Sequence, residues 1–392
     1  MIGRLKMFND IKEALDYIES KRVKRTFEQF QEIVTKYGFN VKQKNMIHIA
    51  GTNGKGSTVN FIKEILMKHG YTVGTFTSPY MIVHNDRICV NGKMISDDKL
   101  LKIINELEDI IKKENLSMFE IDVLIMLRYF DELDLDYRII ETGIGGLCDK
   151  TNVIDSICSV ITNIGYDHQF MLGNSLDEIA KHKAGIIKPR KPCFTAESNK
   201  EIVDIFKQVC KTNGSQLYIC DVGNVNYPYV FNCLSNEYVL KTGGSYQVKN
   251  AVLAINVCNY LIDLDKELVQ QAIDCFNWPG RFEKFGSIYL DGAHNVDGIL
   301  ALKKTLKDQK LEDIVIVFSA LSDKDVCEMK VLLKEYPLIQ VSFDDERLNS
   351  NDINYKDILN KVIGNYKNIV VTGSLHFISE VRKYLKENPK IR

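Results

Sequence analysis

Met46-Ile47-His48-Ile49-Ala50 runs directly into Gly51-Thr52-Asn53-Gly54-Lys55-Gly56-Ser57, after which Val59, Ile62, Ile65 and Leu66 recur at helical spacing. The order is strand, glycine-rich loop, helix. Glycines let backbone amides turn toward phosphate oxygens with no side chain in the way, and the following helix N-terminus adds partial positive charge. Lys55 can reach the β- and γ-phosphates, and the hydroxyl of Ser57 or Thr58 can ligate magnesium. The loop departs from the strict Walker spacing: Gly56 separates the lysine from the hydroxyl residue, and the first glycine is too close. A flexible glycine-rich turn is the alternative. The strand before and the amphipathic helix after favour a bound magnesium-nucleoside triphosphate. Residues 73–77 read as a second strand, so residues 46–77 form one strand–helix–strand unit, expected to be parallel with a right-handed crossover.

The alternation extends both ways. Ile11, Ala14, Leu15 and Ile18 mark one helix ahead of the unit; Phe30, Ile33, Val34 and Tyr37 mark another, opened by Thr26 and Gln29 as a capping box. Downstream, helices are predicted over 97–113 and 119–133 and buried strands over 137–141 and 157–162. A further helix is opened by Ser175 and Glu178 and stopped at Gly185. This pattern predicts an α/β fold with a mainly parallel sheet. Residues 215–245 suggest small antiparallel strands, followed by a helix over 248–261. Trp278-Pro279-Gly280-Arg281 then breaks the periodicity. Strands over 288–290, 314–318, 339–343 and 369–372 follow, with helices over 298–307, 324–334 and 375–385. The predicted division is a phosphate-loop, NTPase-like domain at 1–283 and a smaller, Rossmann-like α/β domain at 284–392.

Of 392 residues, 45% are hydrophobic and 26% charged, enough for a large buried core. The net charge of −1 argues against nucleic acid as the main ligand. The ten cysteines form no Cys-x-x-Cys pair, which points to reduced thiols in a cytoplasmic protein rather than disulfides or a zinc knuckle. The N-terminus has no apolar core of signal-peptide length, and no stretch is long enough to span a bilayer. Neither nucleic acid nor membrane is an expected partner.

Several polar clusters follow predicted strands. In a parallel sheet the C-terminal strand ends share one edge, so Ser78 of Thr77-Ser78-Pro79 can approach the magnesium; a Ser-Pro turn is the alternative. Glu141, ahead of Thr142-Gly143-Ile144-Gly145-Gly146, suits a hard cation, with a helix-capping acid the alternative. His168 ends Asn163-Ile164-Gly165-Tyr166-Asp167-His168; a lone imidazole there is more often structural, but four strands converging on one edge are less easily accidental. Lys183 closes the next helix and, on the residues alone, reads as a solvated cation complementing the helix dipole. Arg281 can pair with triphosphate charge and Asp291, in Asp291-Gly292-Ala293-His294-Asn295, with a ribose hydroxyl; a hinge turn and a helix cap are the alternatives.

Together these segments resemble the folylpolyglutamate synthase and dihydrofolate synthase family, a branch of the Mur ligase superfamily. The likeness runs from Met46 to Ser379: G-T-N-G-K-G-S, T-S-P, D-R-I at 86–88, E-T-G-I-G-G, I-T-N-I-G-Y-D-H, K-A-G-I-I-K-P at 183–189, P-G-R, D-G-A-H-N and T-G-S-L at 372–375 occur in family order. The resemblance implies an ATP-dependent ligase that adds L-glutamate to a folate, or to dihydropteroate, through an acyl phosphate. Gly51, Thr52, Asn53, Gly54, Lys55, Gly56, Ser57 and Thr58 would hold ATP, completed by Asn250, Arg281 and Asp291. Ser57 and Glu141 would serve one magnesium ion; Ser78, Glu141 and His168 would serve a second. Lys183 would be carbamylated, and His294 and Ser374 would lie near the incoming glutamate. Lys55, Glu141, His168 and Lys183 are thus the expected catalytic set, in an expected monomer. Three positions depart from the family pattern: Leu147 where arginine is usual, His182 where glutamate is common, and Val296 in place of proline.

Three rival functions share part of this pattern, of which a phosphate-loop kinase or motor ATPase would not explain the second α/β domain with D-G-A-H-N. Peptidoglycan-precursor ligases share the chemistry but carry a uridine-nucleotide domain before the phosphate loop, where this sequence has about fifty residues. A non-catalytic nucleotide-binding regulator would be expected to lose Lys55 or the metal residues, and none is lost.

Overall fold

The computed structural model describes residues 8–389 apart from 224, 226, 323, 346, 347 and 349–352. The first sheet has eight strands: β1 (Met46–Ala50), β2 (Val73–Phe76), β3 (Ile88–Val90), β4 (Lys93–Met94), β5 (Tyr137–Glu141), β6 (Cys158–Ile161), β7 (Cys193–Thr195) and β8 (Leu217–Ile219). Their order is β4-β3-β2-β5-β1-β6-β7-β8. From β2 to β8 every pairing is parallel; β3 and β4 add an antiparallel edge. Every residue of β1 and β5 is buried, as expected of central strands covered on both faces.

The two faces are covered differently. On one, the helix Lys55–Lys68 packs among Gln247–Leu261 and Lys266–Asp274, where the rings of Phe61 and Phe276 stack at 3.9 Å. On the other, the helices Ile11–Glu19, Phe27–Lys36, Asp97–Glu106 and Met118–Asp131 enclose a second core around Phe30, Leu124 and Phe130. Both predicted capping boxes form, at Thr26/Gln29 and at Ser175/Glu178. The single helix predicted over 97–113 is instead two, Asp97–Glu106 and Glu108–Glu114, meeting at Leu107.

The segment predicted as small antiparallel strands divides in two. Leu217–Ile219 follows the helix Lys200–Asn213 and joins β7 in parallel as part of a crossover unit. Only β9 (Tyr229–Cys233) and β10 (Asn236–Leu240) form an antiparallel hairpin. The second sheet has the order β11-β12-β15-β13-β14, from β11 (Arg281–Phe285), β12 (Ile288–Asp291), β13 (Ile314–Phe318), β14 (Leu338–Gln340) and β15 (Asn368–Thr372). It is parallel except for the β11/β12 hairpin, through which the chain enters it. Among the described residues no helix is long and apolar enough to cross a membrane.

Candidate active site

The phosphate loop leaves β1 and is fastened to the segment that leaves β6. Thr52 N–H donates to the Asn163 carbonyl at 2.9 Å, Asn53 N–H to the Asn163 side chain at 2.8 Å, and the Thr162 hydroxyl to the Asn53 carbonyl at 2.6 Å. Two glycines are required by this closeness. A Cβ at Gly51 would lie 1.8 Å from the Thr162 hydroxyl, and one at Gly54, where φ is +84°, 2.3 Å from the Asn250 side chain. Gly54 caps the helix Lys55–Lys68 and offers no side chain to its first amides, which suits an anionic ligand. Gly56 is also hemmed in, its Cβ position lying 3.2 Å from the Trp278 ring.

Lys55 lies over the loop, its Nζ 3.3 Å from the Gly51 carbonyl and 4.0 Å from Glu141. Glu141, the last residue of β5, is buried and accepts the Ser78 N–H at 3.3 Å. Burial pushes its carboxyl up to about 7, against the opposing pull of Lys55, the Ser78 N–H, Arg281 and Arg87. The Ser57 hydroxyl is buried within 3.1 Å of the Gln247 amide. Thr58 is turned away: its hydroxyl donates to the Gly54 carbonyl inside the helix. The first sheet thus gathers Lys55, Ser57, Ser78 and Glu141 at one edge.

Lys183 corrects the reading made from its helix position alone. It is not a solvated cation: it is 4% exposed and donates to the Gly51 carbonyl at 2.8 Å. Burial, then the charge of Lys55, brings its ammonium down to about 7 despite Asp167 and Asp149. His168 adopts a left-handed conformation, φ +50°, at the start of a one-turn helix. Partial burial holds its imidazole down to about 4, with Lys324, Lys55 and Lys183 opposing the pull of Asp167, although the side chain is still 37% exposed. It is therefore neutral, with ring nitrogens suited to a metal.

The second sheet faces this edge. Asn295 and Asn53 exchange amide hydrogen bonds, both 3.1 Å. His294 places Nε2 3.6 Å from Asp167 while Nδ1 meets the Gly292 carbonyl at 2.8 Å. Asp291, at the end of β12, is buried, accepting from the Tyr246 hydroxyl at 2.6 Å and the Ala293 N–H at 3.0 Å; Asn295 takes the helix-cap role instead. Arg281 lies beside Gly292, where a Cβ would be 2.3 Å from its Nη1. Asn250 donates to Gln247 at 2.8 Å. Ser374 is buried at the start of the helix Leu375–Glu387, just past the Gly373 N–H bonded to the Ala293 carbonyl.

Several contributors had no assigned role in the sequence. Arg87 donates to the Ser78 hydroxyl at 3.3 Å. Behind it, His84 sits between Asp122 at 2.8 Å and Glu19 at 2.9 Å; burial alone would lower its pKa, but these two carboxylates raise it to about 9. Asp167 joins Lys324 at 2.7 Å, and against burial the hydrogen bond and charge of His294, with His168 and Lys324, hold its carboxyl well below the usual range. The only sequence signal for Arg87 and Asp167 was their place inside two of the quoted motifs. At the departures, Leu147 is 52% exposed, and the buried His182 Nδ1 has no hydrogen-bond partner among the described residues.

A family model described as the Mur ligase middle domain matches residues 49–258. The chain is similar to the dihydrofolate synthase/folylpolyglutamate synthase of Bacillus subtilis, with 33% identity over 97% of this chain and 100% of the relative. It is 32% identical to the folylpolyglutamate synthase of Lacticaseibacillus casei over 74% of each chain. The apo form of the L. casei FPGS superposes with a TM-score of 0.84 at 28% identity, covering 96% of this chain and 100% of that one. An FPGS–AMPPCP–folate complex gives 0.84 at 29% identity, covering 96% and 99%.

Proposed function

The chain belongs to the folylpolyglutamate synthase/dihydrofolate synthase family of Mur-type ligases, and from that premise we propose that it joins L-glutamate to the γ-carboxylate of a folate at the expense of ATP. Dihydropteroate is the alternative acceptor. The observation that carries this reading is the buried Glu141 carboxylate 4.0 Å from Lys55, on the strand next to the phosphate loop.

The difficulty is electrostatic, since a carboxylate must approach a triphosphate. Lys55 and the open amides ahead of the helix Lys55–Lys68 offset the phosphate charge. An acceptor carboxylate oxygen attacks the γ-phosphorus, the bond to the β-phosphate bridging oxygen breaks, and ADP leaves. The glutamate amine then attacks the acyl carbon, loses a proton, and expels inorganic phosphate to leave the amide. Arg281 and Asp291 approach the nucleotide from the second sheet, while His294 and Ser374 receive the amino acid. Closure of the two halves keeps water from the acyl phosphate.

Magnesium fits the donors present. Among the described residues no group of three or more His, Cys, Asp or Glu side chains is placed to hold a metal. The one carboxylate of Glu141 with the hydroxyls of Ser57 and Ser78 is an oxygen donor set that suits magnesium, which keeps waters and substrate phosphates and takes one or two protein carboxylates. Ser57 with Glu141, and Ser78 with Glu141 and His168, would hold two ions, which would supply charge neutralisation at the phosphates. Lys183 is proposed to be carbamylated: its neutral amine adds to carbon dioxide, releases a proton and becomes an anion. The lowered pKa supports this, because only the neutral amine reacts. A monomer is part of the same reading, and ten cysteines without a disulfide support a cytoplasmic setting. The test is ATP turnover: ADP should form only when folate and glutamate are both present, and equal turnover without either would reject the ligase.

A further inference from the structure

The helix Gln247–Leu261 packs against the helix Lys55–Lys68, and its first residue reaches the start of that helix. The Gln247 side chain is fully buried, and both ends of its amide are used. Nε2 donates to the Ser57 hydroxyl at 3.1 Å, and Oε1 accepts from the Asn250 amide at 2.8 Å. The turn ahead of the helix makes room for it. Gly243 has a φ of +85°, and a Cβ there would press on the Gln247 side chain at 3.2 Å. The Gln247 N–H closes that turn on the Gly244 carbonyl at 2.9 Å. Ordering and desolvating a long polar side chain is costly, and packing alone would be served by methionine or leucine.

The direction of the bond to Ser57 matters. Asn250 donates to Oε1, so the end of the amide turned on Ser57 is a donor. A serine oxygen carries two lone pairs and one proton. Gln247 occupies one lone pair. The second is left for a cation, and the proton for an anionic oxygen. A hydroxyl in the first turn of a helix otherwise bonds back into its own backbone, as Thr58 does at the Gly54 carbonyl. The same amide also holds Asn250 against the loop, where a Cβ at Gly54 would lie 2.3 Å from the Asn250 Oδ1.

We propose that Gln247 is a positioning residue that aims the Ser57 hydroxyl at magnesium. It is fully buried and acts through Ser57. With Gln247 in place the hydroxyl is already oriented when the cation arrives, so less ordering is left to binding. Loss of the amide lets Ser57 turn back toward its helix. The part of nucleotide affinity that depends on magnesium then falls. Whatever Gln247 does through Asn250 acts on the nucleotide with or without the metal.

This inference rests on the magnesium role proposed above for Ser57, and the experiment separates the two. Calorimetry with a non-hydrolysable ATP analogue is run on wild type, Gln247→Met, Ser57→Ala and the double variant. Each protein gives two Kd values, one with magnesium and one with the metal chelated. Their ratio is the gain that magnesium confers, and effects through packing or Asn250 cancel in it. The gain should fall about tenfold in Gln247→Met, the size of one hydrogen bond. It should fall at least as far in Ser57→Ala and no further in the double variant. Gln247→Asn, whose amide is one methylene short of Ser57, should match Gln247→Met and replaces it if methionine prevents folding. An unchanged gain in the Gln247 variants beside a reduced gain in Ser57→Ala would overturn the positioning role and leave the magnesium site intact. Additive losses in the double variant would overturn it as well. An unchanged gain in Ser57→Ala would overturn the metal role of Ser57, and that of Gln247 with it.

Discussion

Asp167 and Lys324 meet at 2.7 Å from opposite sheets, with both side chains largely buried. The pair joins the segment after β6 to the segment after β13, and His294 and Asn295 approach the same carboxylate. Asp167→Asn replaces the carboxylate that pairs with the largely buried Lys324 by a neutral amide. We expect a loss of about 3 kcal/mol in unfolding free energy, together with a reduced kcat because the halves no longer hold their alignment. Chemical denaturation alongside steady-state kinetics measures both; wild-type values in each would dismiss the link.

Lys55→Ala should abolish turnover and weaken ATP binding, since the γ-phosphate loses its cation. Calorimetry with a non-hydrolysable ATP analogue reads the binding, and near-normal glutamate ligation by the variant would exclude the assigned role.

Glu141→Gln and His168→Ala should each lower the rate and raise the magnesium concentration needed for half-maximal activity. A reduction of about 10²-fold in kcat is expected where charge stabilisation is lost. Magnesium titrations of both variants that overlay wild type would remove these residues from the metal site.

Lys183→Ala should remain folded and lose most activity, and short organic acids should restore part of it by standing in for the carbamate. Bicarbonate labelling with carbon-13 gives an independent check, since the wild-type protein should show a carbamate carbon signal that the variant lacks. Full activity in Lys183→Ala would end the proposal.

His84 predicts a pH dependence of stability. Its folded pKa of about 9 is raised above the unfolded value of about 6.5 by Asp122 and Glu19, with Arg87 and burial opposing. A raised histidine pKa stabilises fully below the unfolded value and loses that contribution as pH rises through the folded one. Unfolding free energy should therefore fall by about 3 kcal/mol between pH 6.5 and pH 10. His84→Gln should flatten that slope, and an identical slope in the variant would count against it.

The alternation of strands and helices was legible because buried parallel strands read as short apolar runs and each helix carries its own period. The phosphate loop was legible because its glycines are demanded locally, by positive φ at Gly54 and close approach at Gly51. The helix Lys200–Asn213 was also readable in principle: Asn199 caps it, and Ile202, Ile205, Phe206 and Val209 keep its period. Lys183 was misread on its helix position because burial depends on where the helix end lands, here under Gly51. That follows from how β6 and β7 stack beside β1, which no local pattern encodes. Lys324 is harder still, since its partner Asp167 lies far away in sequence and across the interface.

The placement of β1 bears on how the chain acquires its ligand during synthesis. β1 has β5 on one side and β6 on the other, and both are made long after it. The loop that follows it is held by Thr162 and Asn163, with Lys183 against Gly51. A nascent chain therefore carries the phosphate-binding sequence well before it has the scaffold that shapes it, and such non-local pairing forms late. Nucleotide affinity should arise only once residue 183 has cleared the ribosome, and a chain interrupted before residue 163 should emerge with an intact motif and no grip on ATP.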